Sequence, residues 1–133
     1  MSDNILKVFV GTDGGVQIPA EKALAHSFRK FTSCDIQIEW MDESRGNPFW
    51  KDWNKKTWYT PFTCYRWAAP EFCNFEGRSM YMDVDQIILK DPAELLSLEF
   101  EPNKAWMSPG NRRGDVIIFD NKKFKEDWWP KIN

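Results

Sequence analysis

Residues 78–85 end in two aspartates, Asp83 and Asp85, that are separated by a single residue. The run at positions 80–82 before them is apolar but too short for a helix, and Gly77 precedes it as a breaker. Side chains alternate along a strand, so the two carboxylates at the end of this predicted strand should point the same way, with Cβ atoms roughly 7 Å apart. Such a pair can share a hard divalent cation and leave coordination positions for water or phosphate. The spacing therefore predicts a metal site for a nucleoside diphosphate.

Three other interpretations of this aspartate pair compete with a metal site. Chance alone gives roughly one D-x-D in a chain of this composition, so the two acids could simply be solvated in a turn. An EF-hand loop starting at Asp83 would need an oxygen ligand at Ile87 and a glycine at Ile88, and it has neither. A phosphatase with an aspartyl nucleophile is expected to carry D-x-D near its N-terminus, which does not fit a motif at residue 83. The surrounding sequence must therefore decide.

Upstream of the aspartates, the sequence predicts elements that would bring other polar residues beside them. Residues 5–10 predict a strand, 11–15 a glycine-rich turn, 19–32 a helix with one apolar face, and 35–40 a strand that is half-buried or at an edge. This order predicts a right-handed βαβ unit with a parallel pair of strands. Ligands of such sheets gather beyond the carboxyl ends of the strands, where Thr12, Asp13 and Asp83 would lie. The turn contains neither G-K-[S/T] nor G-x-G-x-x-G, so it is not a P-loop or a dinucleotide fingerprint.

The remaining elements are predicted from capping and breaker residues. They are a helix that starts at 60–61 and is interrupted or ended by Pro70, a short helix over 91–96 capped by Asp91, strands over 105–107 and 116–119, and a final helix from Asp120 through Trp128. Residues 41–58 show no clear period. No repeat, linker or low-complexity tract divides the chain, so residues 1–133 are predicted to form a single domain.

Composition excludes several classes of function. The chain has 133 residues and a formal net charge of −2, which argues against a nucleic-acid binder held by bulk electrostatics. No apolar run approaches the length of a membrane span and no signal peptide is evident, so we expect a cytoplasmic protein. The three cysteines lack C-x-x-C spacing and are expected to be reduced and mostly buried. Eight Trp and ten Phe are many for one small core, so some of them could line a groove.

Three segments, taken in order, resemble a known family. They are residues 62–70 (FTCYRWAAP), residues 78–85 (RSMYMDVD) and residues 91–96 (DPAELL). Their order and spacing resemble the nucleotide-sugar half of GT-A fold glycosyltransferases, most closely glycosyltransferase family 8, which includes glycogenin and bacterial galactosyltransferases. The resemblance covers about residues 5–120 and is strongest over 58–97. It implies an α/β fold with a Rossmann-like, mostly parallel central sheet flanked by helices, in a shortened, minimal form.

The resemblance also implies roles around the cation. Asp85 matches the second acid of the family motif and would be the main metal ligand. Asp83 matches the first acid, which either binds the metal directly or contacts the ribose and the donor sugar. The implied ion is Mn²⁺ or Mg²⁺, bridging the two phosphates as a Lewis acid. Arg66 matches a basic position of the preceding helix and would pair with the diphosphate, the donor sugar or Asp83, or else form a salt bridge that only stiffens the site.

The family's nucleotide contacts map onto two further segments. Thr12 and Asp13 match the end of the first strand, where an acid and backbone groups hold uracil and ribose, although Asp13 could simply open the turn. That turn begins at Gly11, where the backbone can approach a ligand closely. Asp115 would hydrogen-bond sugar hydroxyls, and Arg113 or its neighbour Arg112 would reach phosphate, unless these residues belong to a surface loop.

The chain also departs from the family pattern. Members of this type usually supply a third metal ligand, a histidine, from a segment that has no counterpart here. The only histidine, His26, lies on the first predicted helix, and we interpret it as structural. The segment that normally builds the acceptor pocket is also without a counterpart. The cation would then complete its shell with diphosphate oxygens and water.

The resulting hypothesis is an enzyme. The chain is expected to be a metal-dependent glycosyltransferase that moves a hexose from a UDP-sugar, most simply UDP-glucose or UDP-galactose, to an unknown hydroxyl acceptor. Retention at the anomeric carbon and some hydrolysis of the donor are expected as well. The alternatives are a non-catalytic UDP-sugar-binding module that needs a partner, and an aromatic-rich interaction protein that binds no nucleotide. The sequence leaves a homo-oligomer open.

Overall fold

The computed structural model describes residues 5–12, 17–41, 67–97, 99–101, 104–108 and 116–127. Within them, the elements in chain order are β1 (Ile5–Gly11), α1 (Ile18–Phe31), β2 (Asp35–Met41), α2 (Ala69–Phe72), β3 (Arg78–Asp83), a 3₁₀-helix (Pro92–Ser97), β4 (Trp106–Met107), β5 (Val116–Asp120) and α3 (Asn121–Asp127). No helix among these residues is long and apolar enough to cross a membrane.

The five strands form one sheet in the order β2-β1-β3-β5-β4. β1 pairs in parallel with both β2 and β3, whereas β5 is antiparallel to β3 and to β4. Four strands therefore run in one direction and β5 alone runs against them. This arrangement confirms the predicted α/β class with a mostly parallel sheet, and it places β2 at an edge.

Both faces of the sheet are covered at β3, which suits the apolar run at positions 80–82 of this strand. Met80 and Met82 pack on the α1 side, where Leu24 and Phe28 of α1 are fully buried. Tyr81 points to the other face and belongs to the cluster on the side of α2 and α3. The alternation therefore divides β3 between two cores.

The α2–α3 face has an aromatic centre. Phe124 of α3 is fully buried, stacks on Trp67 with ring centroids 6.2 Å apart, and meets Phe119 of β5 edge-on at 5.3 Å. Trp67 also meets Trp106 edge-on at 5.2 Å. Trp67 and Trp106 are thus partly buried and pack against this core cluster.

Buried polar groups on this face form hydrogen bonds with one another. The Ser79 hydroxyl of β3 donates to Asn121 Oδ1 at 2.8 Å, and Asn121 Nδ2 donates to the Glu76 carbonyl at 2.9 Å. Burial raises the pKa of the nearby Cys73 thiol, although Lys7, Asn121 and Ser79 act in the opposite direction. Cys34 and Cys73 are free thiols, Cys73 buried and Cys34 half-buried, while Cys64 lies outside the described residues.

Local signals predicted most element ends correctly. Asp91 caps the 3₁₀-helix through the Ala93 N–H at 2.9 Å, and Asp120 caps α3 through the Lys123 N–H at 3.2 Å. The Ser33 hydrogen bond and then the Ala93 bond lower the pKa of the Asp91 carboxyl. Gly77, just before β3, has a φ of 67°. This left-handed backbone conformation favours glycine, as expected of a residue that separates two elements.

The element ends near the site differ in part from the predictions. Pro70, predicted to interrupt or end a helix, lies in the first turn of α2, where its missing N–H costs no hydrogen bond within the helix. The helix predicted to begin at 60–61 falls outside the described residues up to position 66. β3 ends at Asp83 rather than at Asp85, since Gly11 is its last partner in β1 and Val116, opposite Met82, is its outermost partner in β5.

Candidate functional site

The carboxyl ends of β1 and β3 lie side by side, and this register creates the candidate site. Gly11 is paired with Asp83 across the two parallel strands. Thr12 follows Gly11 directly and is 2 % exposed. The structure therefore brings together three of the residues singled out from the sequence, at the sheet edge where ligands of parallel sheets bind.

Asp83 is half-buried and held by its own strand. The Tyr81 hydroxyl donates a hydrogen bond to Asp83 Oδ1 at 2.6 Å, as expected for neighbours two residues apart on one face of a strand. Gln86 Nε2 lies 3.4 Å from the Asp83 carbonyl and joins the following turn to the strand end. Both the side chain and the backbone of Asp83 are thus fixed by nearby groups.

Asp85 lies in the turn that follows β3, and its side chain is exposed. Val84 between the two acids is buried in the α1-side cluster, so the alternation of faces continues one residue beyond the last strand pair. Asp83 and Asp85 therefore lie on either side of Val84, which is held in the core. The first acid sits in a partly enclosed environment and the second is open to solvent.

The donor set at this edge suits a hard cation only in part. Two carboxylates supply oxygen ligands of the kind that Mn²⁺ and Mg²⁺ accept. Among the described residues, no group of three or more His, Cys, Asp or Glu could hold a metal ion. His26 is exposed on α1. A cation on Asp83 and Asp85 would therefore need further oxygen ligands, such as those of a phosphate or of water.

The segment after the aspartates is attached to α1. The Ile88 N–H donates to Ser27 Oγ at 2.9 Å, and Ile88 packs on the α1-side cluster. Its neighbours point outward, with Ile87 55 % and Leu89 70 % exposed. The turn that carries Asp85 is thus anchored on both sides, by Val84 before it and by Ile88 after it.

Glu21 is a residue beside the site that sequence reasoning missed. It lies in the first turn of α1, is only 7 % exposed, and its Oε2 accepts a hydrogen bond of 2.5 Å from the Thr12 hydroxyl. Glu21, Leu24 and Phe28 have helical spacing, so the signal was an acid on the buried stripe of an amphipathic helix. The Thr12 hydroxyl is directed to α1, whereas the predicted nucleotide contact at this strand end, through an acid and backbone groups, stays a prediction.

Replacing Glu21 with alanine should lower the free energy of unfolding by about 1–3 kcal/mol, because the buried Thr12 hydroxyl loses a close acceptor, while Gln17 Oε1 lies farther away at 3.5 Å. Glu21→Gln keeps a carbonyl acceptor and should lose less. Lys22→Ala, at an exposed position on the same turn, serves as the control. Urea titration followed by tryptophan fluorescence measures all three. Equal stability of Glu21→Ala and the control would show that this hydrogen bond contributes nothing.

Asp13, Arg66, Asp115, Arg113 and Arg112 lie outside the described residues. Their proposed contacts with nucleotide, sugar and phosphate remain predictions.

Comparison with known proteins supports the fold. No protein-family model and no curated protein sequence matches the chain. Among solved structures, it is similar to the apo form of the bifunctional glycosyltransferase WbbM, with a TM-score of 0.70 and 14 % identity over 93 % of this chain and 33 % of that one. It is also similar to the apo form of the glycosyltransferase GlyE of Streptococcus pneumoniae TIGR4, with a TM-score of 0.64 and 17 % identity over 91 % of this chain and 35 % of that one.

These similarities show a fold shared with glycosyltransferases. The chain spans about a third of the length of each of the two solved proteins. Membership of glycosyltransferase family 8, which the sequence motifs resemble, is not shown by either comparison.

Proposed function

We propose, from the fold shared with glycosyltransferases, that this chain binds a UDP-sugar and transfers its hexose, glucose or galactose, to a hydroxyl acceptor. The observation that carries the proposal is the pairing of Gly11 with Asp83, which sets the end of β1 beside the first acid of the D-x-D pair. In a parallel sheet this edge is where nucleotide ligands bind. Retention at the anomeric carbon, which the resemblance of the sequence motifs implies, is part of the proposal.

The two acids would have different tasks at this edge. Asp83 is half-buried and oriented by Tyr81, which suits a carboxylate that must keep one geometry. Asp85 is exposed, so it can approach a ligand that arrives from solvent. When bound, Mn²⁺ or Mg²⁺ would supply Lewis-acid neutralisation of the charge on the leaving diphosphate. The protein's own share is to position the donor and to present fixed charges and dipoles.

The fixed backbone around the acids supports this role. Val84 and Ile88 hold the turn between them against α1, so Asp85 projects from an anchored segment. Preorganised groups of this kind avoid the entropy cost of ordering a binding loop. The described part of the chain therefore offers a prepared edge for a diphosphate.

Release of UDP tests the proposal directly. The purified chain is incubated with UDP-glucose, UDP-galactose and other nucleoside diphosphate sugars, with Mn²⁺ or with EDTA, and free nucleotide is measured. We expect Mn²⁺-dependent release of UDP by slow hydrolysis of a UDP-hexose, together with a UDP- and Mn²⁺-dependent rise in melting temperature. Binding without release would instead favour the non-catalytic UDP-sugar module. If no nucleotide changed the melting temperature, the proposal would be wrong.

A further inference from the structure

The hydrogen bond between Tyr81 and Asp83 joins the core of the protein to the candidate site. Both residues belong to β3, and the phenol oxygen lies 2.6 Å from Asp83 Oδ1. This distance lies within the usual range for a hydroxyl that donates to a carboxylate oxygen. A buried side chain thus contacts the first acid of the D-x-D pair.

Tyr81 is well suited to fix the position of that acid. Its side chain is fully buried in the cluster that also contains Phe9, Ile117 and Phe119. Strands lie on both sides of it, because Tyr81 is paired with Phe9 in β1 and with Ile117 in β5. Close packing of this kind leaves a ring a single orientation, so its hydroxyl is presented at a fixed point.

Fixing one carboxylate oxygen fixes the plane of the whole group. An aspartate at the end of a strand otherwise samples several rotamers. A ligand that binds only one of these rotamers binds more weakly, because binding then costs the side chain its conformational entropy. Groups that hydrogen-bond to metal-binding carboxylates typically orient them and affect affinity in this way. The phenol donates to Oδ1 and so holds Asp83 in one orientation before any ligand arrives.

We propose that Tyr81 is a positioning residue, whose hydroxyl preorganises the Asp83 carboxylate for a divalent cation bound together with a nucleoside diphosphate. This inference rests on the proposed function, because it assigns a role within the same site. Tyr81 itself does not touch the ligand. It acts through Asp83, and its effect is on affinity.

The variant Tyr81→Phe tests this role, since it removes the hydroxyl and keeps the buried ring. Manganese affinity is measured at saturating UDP from the electron paramagnetic resonance signal of free Mn²⁺. We expect affinity to fall by about 10- to 100-fold, the usual effect of removing a hydrogen-bond partner of a metal ligand. A merely structural tyrosine would leave the affinity of the folded variant unchanged, and that result would overturn the proposal.

Ser79→Ala is the matched control. Ser79 lies two residues before Tyr81 on the same face of β3, and its buried hydroxyl bonds to Asn121 and not to Asp83. Its removal also deletes one buried hydroxyl from the same strand. We expect unchanged manganese affinity, and a loss as large as that of Tyr81→Phe would show that any damage to β3 has this effect.

A double-mutant cycle shows whether Tyr81 acts through Asp83. Asp83→Asn alone should weaken manganese binding, and adding Tyr81→Phe should weaken it little further, because the carboxylate that the phenol orients is already gone. Additive losses would mean that Tyr81 acts by another route and would refute the proposal. Failure of the proposed function has a different signature, since the unaltered protein would then bind neither Mn²⁺ nor UDP.

Discussion

Asp85→Ala should abolish metal-dependent binding of UDP while leaving the protein folded. Asp85 is exposed in the turn after β3, and alanine at such a position usually changes the free energy of unfolding by no more than about 0.5 kcal/mol. As the proposed main metal ligand, however, Asp85 would supply a negatively charged oxygen to the cation, and a water molecule in its place would bind the cation less strongly. Removing a group that only hydrogen-bonds to a metal ligand typically lowers metal affinity by about 10- to 100-fold. Removing the ligand itself should therefore lower the affinity for UDP at saturating Mn²⁺ by more than about 100-fold.

The control for this prediction is Glu94→Ala, which removes an exposed carboxylate from the 3₁₀-helix. It changes the net charge equally and should leave UDP affinity as it was. Calorimetric titration with UDP, in Mn²⁺ and then in EDTA, measures both variants. Asp85 would have no role in metal binding if Asp85→Ala bound UDP as tightly as the unaltered protein.

Phe124→Ala should cause the largest loss of stability among the substitutions considered. Phe124 is fully buried where α3 packs on the sheet, between the rings of Trp67 and Phe119. Truncating a buried phenylalanine removes its transfer free energy and leaves a cavity, which together typically cost about 3–5 kcal/mol. Since domains are commonly stable by only about 5–15 kcal/mol, the variant should be close to unfolding at moderate temperature.

Urea denaturation followed by tryptophan fluorescence measures this loss, and Trp67 against the substituted ring makes the signal sensitive. Lys122→Ala is the control, because Lys122 is exposed on the same helix. A loss below about 1 kcal/mol for Phe124→Ala would mean that the cluster collapses into the cavity or that α3 adds little to the fold. Either result would weaken the view that this aromatic face holds β3 and β5 in place.

Stability and function are connected in this structure through β3. Its central residues divide between two cores, and its carboxyl end carries Asp83. Residues that pack on either face therefore influence where that carboxylate lies. The aromatic content that stood out in the sequence is, at Trp67, Trp106 and Phe124, part of the packing that fixes this strand.

Local sequence signals determined a large part of the fold. Alternation, helical spacing, caps and breakers predicted β1, α1, β2, β4 and β5 with ends within about two residues of the structure, because each signal depends on residues close in the chain. The same reasoning placed Asp83 after a buried strand and Thr12 after β1. Parallel strands then brought both to one edge.

The sequence by itself thus determined an α/β chain with acids at the carboxyl end of a central strand. Only the tertiary structure decided that β5 runs against β3, that β3 ends at Asp83, that Tyr81 holds the Asp83 carboxylate, and that Glu21 is buried against Thr12. The physical reason is that strand ends and side-chain partners depend on which elements become neighbours. The pairing of β3 with β5 joins residues distant in sequence, and even the nearer pairs, Tyr81 with Asp83 and Thr12 with Glu21, take their geometry from the elements packed around them.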